Sequence, residues 1–428
     1  MNKLTKVKNI LHKFNQEHLL AFYDEISKEQ QEMLLNQILS IDFEKMRTLY
    51  EESKFDNVCG EISPLEAFDK SAFCAPDIDF YEGIGASSIK NNEFAVVTLA
   101  GGQGTRLGHT GPKGTLELDL APKKKSLFEI LCDGLKIANA RYEVTIPWYI
   151  MTSETNHAPT VSFFEENNYF SYPKEYVHFF PQDKLPILDI QGNLLLSEMH
   201  SVLQGSNGNG NVYASLLKNN MIMDMKSKNY KWVFICGIDN VLVKVVDPFF
   251  LGLTINKNFS IASKSICKEE VDVSVSAFCR RNGRPSMLMP EELTHDLHVA
   301  QDENGKYLYR DANALCHLLS IDALEKASKL NLPYHRAFKK NTFINEEGMK
   351  QIPEHKNSFK FEQFIFDAFS HFDDMLLLRV EKSKEFAPIK DLIGMNTATK
   401  LYIKANNKWN IGGLKAVQKG RVILYRFC

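Results

Sequence analysis

Phe94-Ala95-Val96-Val97-Thr98-Leu99 runs directly into Ala100-Gly101-Gly102-Gln103-Gly104-Thr105-Arg106-Leu107-Gly108, and Gly111-Pro112-Lys113-Gly114 follows closely. The apolar run reads as a buried strand. The glycine-dense stretch after it reads as a loop that cradles phosphate where that strand ends. Glycine lets backbone N–H groups come close to phosphate oxygens. Arg106 and Lys113 add fixed positive charge for the same oxygens. Two commoner phosphate loops do not fit. A dinucleotide fingerprint needs a third glycine where Leu107 stands, and a Walker loop ends in Gly-Lys-Ser/Thr, whereas Lys113 follows Pro112.

Working outward, strands alternate with helices. Ser126 to Leu131 opens a helix, Trp148 to Met151 is a second strand, Val177 to Phe180 a third, and Trp232 to Cys236 a fourth that ends in Gly237-Ile238-Asp239-Asn240. Apolar strands with helical connections predict an α/β fold with a mostly parallel sheet covered on both faces. Ligands of such sheets bind beyond the carboxyl ends of the strands, so the polar residues that follow these strands are expected to converge on one cleft. Upstream, Ser27 and Gln30 form a capping-box pattern, with Met33, Leu34, Ile38 and Ile41 at helical spacing. Gly60 to Ala86, with Pro64, Pro76, Gly83 and Gly85, reads as loop. Beyond Lys390 lies a basic tail with β-like runs such as Val422-Ile423-Leu424-Tyr425. The division expected is an N-terminal helical region over 1–90, a main α/β domain over 91–390 and a short C-terminal region over 391–428.

The 428 residues are 44% hydrophobic and 24% charged, an ordinary globular balance. A net charge of −2 offers no general basic field to recruit nucleic acid. The eight cysteines form no CxxC pair, which argues against a zinc site or redox motif. They read as reduced core residues of a cytoplasmic protein. The N-terminus lacks the apolar core of a signal peptide, and no stretch is apolar for long enough to span a membrane.

Three further stretches bear on chemistry. Asp239 directly follows a strand, where a carboxylate can hold Mg²⁺ against phosphate oxygens; alone it is equally a turn-forming Asp-Asn pair, and the neighbouring phosphate loop favours the metal. Gly205-Ser206-Asn207-Gly208-Asn209-Gly210-Asn211 can present amides to a base or sugar, although such runs are more often flexible surface loops. In Glu385-Phe386-Ala387-Pro388-Ile389-Lys390, Pro388 stiffens the backbone before a lysine, but a solvated lysine in a linker is the commoner meaning.

Taken in order along the chain, these stretches resemble the UDP-sugar pyrophosphorylases of eukaryotic type, above all the UDP-N-acetylhexosamine pyrophosphorylases. The likeness rests on Leu99 to Gly108 with Pro112-Lys113-Gly114, on Ile146 to Ser153, and on Phe179 to Pro186, which departs at Pro181 and Asp183. It continues through Gly208 to Asn211, Gly237 to Asn240, Phe278 to Gly283, Leu332 to His335, Phe364 to Asp367 and Glu385 to Lys390. It implies a Rossmann-like nucleotidyltransferase fold with a mixed, mostly parallel sheet. It further implies that UTP and a hexose 1-phosphate, foremost N-acetylglucosamine 1-phosphate, give UDP-sugar and pyrophosphate. By this resemblance Gly101, Gly102, Gly104 and Arg106 hold the UTP phosphates with Lys113 beside them, and Gln182 and Gly208 read uracil. Asp239 binds Mg²⁺, Asn209 and Asn313 contact the sugar, Phe364 and Phe366 pack near its acyl group, and Lys390 neutralises phosphate.

The chemistry suits that inventory. The nucleophile is a phosphate oxygen already ionised at neutral pH, so no general base is required, and bringing two polyanions into line is left to cations and positioning. One departure bears on the sugar. Met289 stands where the family usually has a glutamate, unless a slip of one or two residues lets Glu291 or Glu292 serve. Glucose 1-phosphate, or a broad range of sugars, is therefore the alternative substrate. A non-catalytic nucleotide-sugar-binding relative is the alternative class.

Overall fold

The structure, a computed structural model, describes residues 2–52, 60–120, 123–268 and 276–417, with side chains as far as residue 405. The chain divides into two compact units. The smaller is gathered from 1–59, 182–211 and 331–365, and the larger from 60–181, 212–330 and 366–428.

The smaller unit opens with helices α1 (Lys3–Phe14), α2 (Lys28–Ser40) and α3 (Phe43–Glu52). The expected capping box starts α2: Gln30 N–H donates to Ser27 Oγ, and Ser27 N–H donates to Gln30 Oε1. Leu34, Leu35 and Ile38 form its buried face, together with Gln31. Met33 is 54% exposed and Ile41 lies past the helix end, contrary to the expected stripe. At 100° per residue Met33 falls off the side shared by residues 31, 34, 35 and 38. These helices bury Val7, Leu11, Leu34 and Ile38 against Leu188, Leu194 and Phe361, which arrive from the unit's other two segments.

Among the described residues the larger unit holds an eleven-stranded sheet. Its strands are β1 (Ile62–Pro64), β2 (Phe68–Asp69), β3 (Phe94–Leu99), β4 (Trp148–Ser153), β5 (Val177–Gln182), β6 (Trp232–Gly237), β7 (Ile261–Cys267), β8 (Ala277–Arg281), β9 (Arg284–Leu288), β10 (Asp311–Ser320) and β11 (Leu376–Val380). The main order is β2-β11-β7-β10-β6-β3-β4-β5, and β8 links β1 and β9 to β10. Pairing is parallel through β6/β3/β4 and through β7/β11/β2, whereas β10 runs antiparallel to β6 and β7. The fold is thus the mixed α/β architecture expected, and each strand read from the sequence is present. β3 and β4 are buried at every position. Their polar groups are satisfied, as where Trp148 Nε1–H donates to Thr98 Oγ1 at 2.8 Å.

Two readings are corrected here. The supposed loop around Gly83 and Gly85 lies in helix α4 (Ala75–Lys90), with Pro76 in its first turn. Gly85 serves packing, not turning: a Cβ there would lie 2.0 Å from the Pro248 carbonyl oxygen, and one at Gly252 would lie 1.8 Å from the Tyr81 carbonyl oxygen. Helix α4 and the helix Pro248–Asn256 therefore meet backbone to backbone. The second concerns the tail. Leu392–Val417 is a helix, and Met395, Ala398, Leu401, Tyr402 and Ala405 recur at helical spacing and pack on the main core. The β-like run at 422–425 lies outside the described residues. Among the described residues no helix is long and apolar enough to cross a membrane.

Past helix α5 (Glu154–Glu166), Asn168, Tyr169, Phe170 and Ser171 all take positive φ, from 46° to 62°. Each L-residue held there costs about 1–2 kcal/mol. Tyr169 is buried and Phe170 packs edge-on against Phe164 at 5.2 Å, whereas Ser171 is exposed and has no such burial to offset its strain. Ser171→Gly should therefore stabilise the protein by about 1 kcal/mol. A urea midpoint that stays put or falls would refute this.

Candidate active site

Strand β3 delivers its glycine loop at the carboxyl end of the sheet, between parallel neighbours β6 and β4. The loop is folded by its own backbone: Gly104 N–H donates to Gly111 O at 3.1 Å, and Lys113 N–H donates to Gly102 O at 3.0 Å. Asn156, fully buried at the start of α5, ties it down. Its Nδ2 donates to Ala100 O at 2.9 Å and to Gly102 O at 3.3 Å, while its Oδ1 accepts from Ser153 N–H at 2.6 Å. Sequence reasoning missed Asn156, although Ser153-x-x-Asn156 after a strand is a capping-box pattern. A Cβ placed on Gly102 would meet nothing within 4 Å. No protein neighbour among the described residues demands glycine there, and open space over backbone amides is what a phosphate requires. Arg106, in the short turn Thr105–Leu107, is exposed beside that loop.

Lys113 Nζ lies 3.3 Å from Asp239 Oδ2. The pair links the loop after β3 to the turn after β6, and both side chains remain partly exposed, at 16% and 25%. Gly237 keeps the turn tight, since a Cβ there would meet Leu315 Cδ2 at 2.7 Å and Asp239 Oδ1 at 2.9 Å. Leu315 has φ +52° in a bulge of β10, where the Asn313 side-chain oxygen accepts from Leu315 N–H at 2.7 Å. Asn313, expected from the sequence as a sugar contact, is thus a builder of the bulge beside Asp239. His317, two residues past Leu315, is fully buried, and burial pushes it down to about 3. It stays neutral and is no candidate for proton transfer at neutral pH.

The segment bearing Lys390 is no free linker. Asn240, 3% exposed, donates through Nδ2 to Glu385 O at 2.8 Å and accepts from Ala387 N–H at 2.8 Å, and Ile389 N–H donates to Asp239 O at 2.9 Å. Lys390 stands exposed at the end of this fastened strap. The larger unit thus gathers Arg106, Lys113, Asp239 and the strap of Lys390 around the ends of β3 and β6. Phe366, half-buried, is the second residue of the short helical segment Ile365–His371 that precedes β11.

The remaining expected residues stand in the smaller unit. There the glycine-asparagine stretch is fixed, which corrects its reading as a flexible loop. Gly210 N–H donates to Gln363 O at 2.9 Å, Gln363 N–H to Asn207 O at 2.8 Å, and Ile365 N–H to Asn209 Oδ1 at 3.0 Å. Gly208 has φ +93°, and a Cβ on it would lie 2.3 Å from Gln363 O, so only glycine fits. Phe364 leans on His335 with ring centres 4.8 Å apart. Gln182 is 7% exposed and its Oε1 has no hydrogen-bond partner among the described residues; the same holds for Asn207 Oδ1, at 3%. Orphaned buried acceptors are costly unless a ligand supplies donors.

The open backbone at Gly102, with cations set at the ends of parallel strands, defines a nucleotide-binding α/β protein. The chain belongs to the UTP–glucose-1-phosphate uridylyltransferase family, whose profile matches residues 50–419. It is 32% identical over 436 residues to the UDP-N-acetylglucosamine pyrophosphorylase of Saccharomyces cerevisiae, covering 95% of this chain and 91% of that one. Against the UDP-N-acetylglucosamine diphosphorylase 2 of Arabidopsis thaliana it is 31% identical, covering 93% and 83%. Its fold is similar to the crystal structure of the Trypanosoma brucei uridine diphosphate N-acetylglucosamine pyrophosphorylase, with a TM-score of 0.80, 26% identity, and coverage of 99% and 88%.

Proposed function

We propose that this chain joins UTP to N-acetylglucosamine 1-phosphate, releasing pyrophosphate and leaving the UDP-sugar. The observation that carries the reading is the Lys113–Asp239 pair at 3.3 Å, set beside the open backbone of Gly102 where parallel strands β3 and β6 end. An oxygen of the sugar phosphate attacks the α-phosphorus of UTP in line, the bond to the β-phosphate oxygen breaks, and its electron pair leaves with pyrophosphate. Gly101 and Gly102 would present backbone amides to the phosphates, whereas Gly104, whose N–H is taken by Gly111 O, would shape the loop and not donate as expected; Arg106, Lys113 and Lys390 would offset charge that shifts during transfer. In the smaller unit, the unpartnered Gln182 Oε1 suits the N3–H of uracil, with the backbone of Gly208 beside it. In the smaller unit, Asn209, whose side-chain oxygen is engaged by Ile365, would offer its Nδ2 to a sugar hydroxyl, with Phe364 as a second sugar contact; in the larger unit, Asn313 and Phe366 would serve the sugar.

Among the described residues no three His, Cys, Asp or Glu side chains gather as a closed metal cage. Mg²⁺ does not need one, since it is commonly held by one or two carboxylates and completed by substrate phosphates. Asp239, one-quarter exposed beside the phosphate loop, fits that donor set and would hold the ion. Bound there, Mg²⁺ would supply neutralisation of phosphate charge. The cysteines of the described residues are free, in keeping with reaction in a reducing cytoplasm.

Pyrophosphate release, measured with UTP and each of three sugar 1-phosphates, tests the reading. Product with N-acetylglucosamine 1-phosphate is expected. Use of glucose 1-phosphate alone would remove the acetylated sugar, and no release with any would leave a binding protein.

The sugar's 4-hydroxyl is the point of lowest expected discrimination. Ala277 pairs with Leu288 on one side and Ala312 on the other, so one step along the ladder stand Met289, Ser276 and Asn313. Met289 offers only soft apolar contact. Glu292 is engaged elsewhere, 2.7 Å from Arg281 and accepting Met289 N–H at 2.8 Å, and Glu291 is exposed. The N-acetylglucosamine and N-acetylgalactosamine 1-phosphates should therefore be used with kcat/KM values within about tenfold, or ~1.4 kcal/mol. Met289→Glu should widen that ratio. Strong discrimination by the wild type that vanishes in Glu291→Gln would assign the reading to Glu291 instead.

A further inference from the structure

Strand β7 is buried along almost its whole length, yet a lysine sits at its centre. Lys264 is 1% exposed, with Nζ 2.6 Å from Asp247 Oδ2 and 2.6 Å from Glu385 Oε2. Lys244 approaches Glu385 at 3.1 Å, and Lys70 approaches both carboxylates at 3.5 and 3.6 Å. Burial alone would raise the two carboxyl groups, but Lys264 and its neighbours hold both below their ordinary range. The cluster is therefore a set of permanent charges. Buried ion pairs contribute little net stability, because desolvation consumes the attraction and apolar residues of similar volume often serve as well. What such a cluster can do is fix one conformation.

The conformation it fixes leads to the phosphates. Glu385 begins the strap that ends at Lys390, and its own carbonyl accepts from Asn240, the residue after Asp239. Ala387 and Ile389 then bond to Asn240 and Asp239 in turn. On its other side, Lys264 lies where the pairing of β7 with β10 shifts register, from Ser263–His317 to Ser265–Asn313, around the left-handed Leu315 that presses on Gly237. We infer that Lys264 is a positioning residue: by clamping Glu385 it sets the strap that carries Lys390 against the strand end that carries Asp239. This rests on the reading of Lys390 as a phosphate cation given above.

A double-mutant cycle between Lys264→Met and Lys390→Ala tests it, with steady-state pyrophosphate release from UTP and N-acetylglucosamine 1-phosphate at saturating Mg²⁺, and thermal unfolding recorded for each variant. Lys390→Ala should lower kcat by about 100-fold and Lys264→Met by about 10- to 100-fold, and the double variant should be no slower than Lys390→Ala alone, because residues that act as one unit are non-additive. Losses that multiply would overturn the inference, since a general loss of stability does not depend on whether Lys390 is present. If Lys264→Met does not fold, Glu385→Gln replaces it in the cycle, keeping the shape and the carbonyl while removing the charge that Lys264 holds. The same non-additivity is expected. A Lys390→Ala variant with wild-type kcat would overturn the reading of Lys390 itself, and the inference with it, by a result that multiplying losses cannot imitate.

Discussion

Lys113→Ala and Arg106→Ala are each expected to lower turnover by about 10²–10³-fold, the range seen when one preorganised charge-stabilising group is removed from an active site. The two cations are placed differently. Lys113 is held in position by Asp239, whereas Arg106 is exposed on the outer turn of the loop. Neither supports the core, so unfolding midpoints should stay close to wild type. Single-turnover kinetics would separate the two: an effect on chemistry lowers the first turnover, whereas an effect on release spares it. Near-normal turnover in both variants would remove the phosphate-loop assignment.

Asp239→Asn keeps the shape of the turn and removes its charge. If the carboxylate shares Mg²⁺ with the substrate phosphates, the concentration of Mg²⁺ needed for half-maximal turnover should rise by at least about 10-fold; changes even to outer partners of metal ligands cost 10–100-fold. The backbone carbonyl of Asp239 that accepts from Ile389 is untouched, so the strap of Lys390 should remain in place. An unchanged Mg²⁺ dependence would mean that the metal is carried by the nucleotide alone.

The buried strand and the glycine loop that follows it were legible because their signals are local. A strand buried on both faces is an unbroken apolar run, and glycines with cations follow within twenty residues of it. The place of Asp239 just past a strand was legible in the same way, from the apolar run before it. What could not be read lies in contacts between distant residues. Nothing near Asn207 or Asn209 says that Gln363 and Ile365 will bond to them and turn a run of flexible composition into a fixed one. Nothing near Gly85 announces the carbonyl of Pro248 two ångströms from where a Cβ would be. Lys264 was visible as a lone lysine between apolar and small residues, but its meaning waited on Asp247 and Glu385, one of them 121 residues away. The helix at 392–417 carries its apolar residues at helical spacing, as Met395, Ala398, Leu401, Tyr402 and Ala405, but they are spread among polar ones and form no dense apolar run.

The three-segment construction of the smaller unit has a consequence for its biogenesis. Val7, Leu11, Leu34 and Ile38 leave the ribosome early, but Leu188, Leu194 and Phe361 are among the residues that cover them. At about 5–20 residues per second, the wait from the third helix to Phe361 is roughly fifteen seconds to a minute. For that interval the amphipathic helices present an uncovered apolar face. The nascent chain should therefore be a client of ribosome-associated chaperones, and a fragment ending before residue 331 should aggregate where the full chain does not.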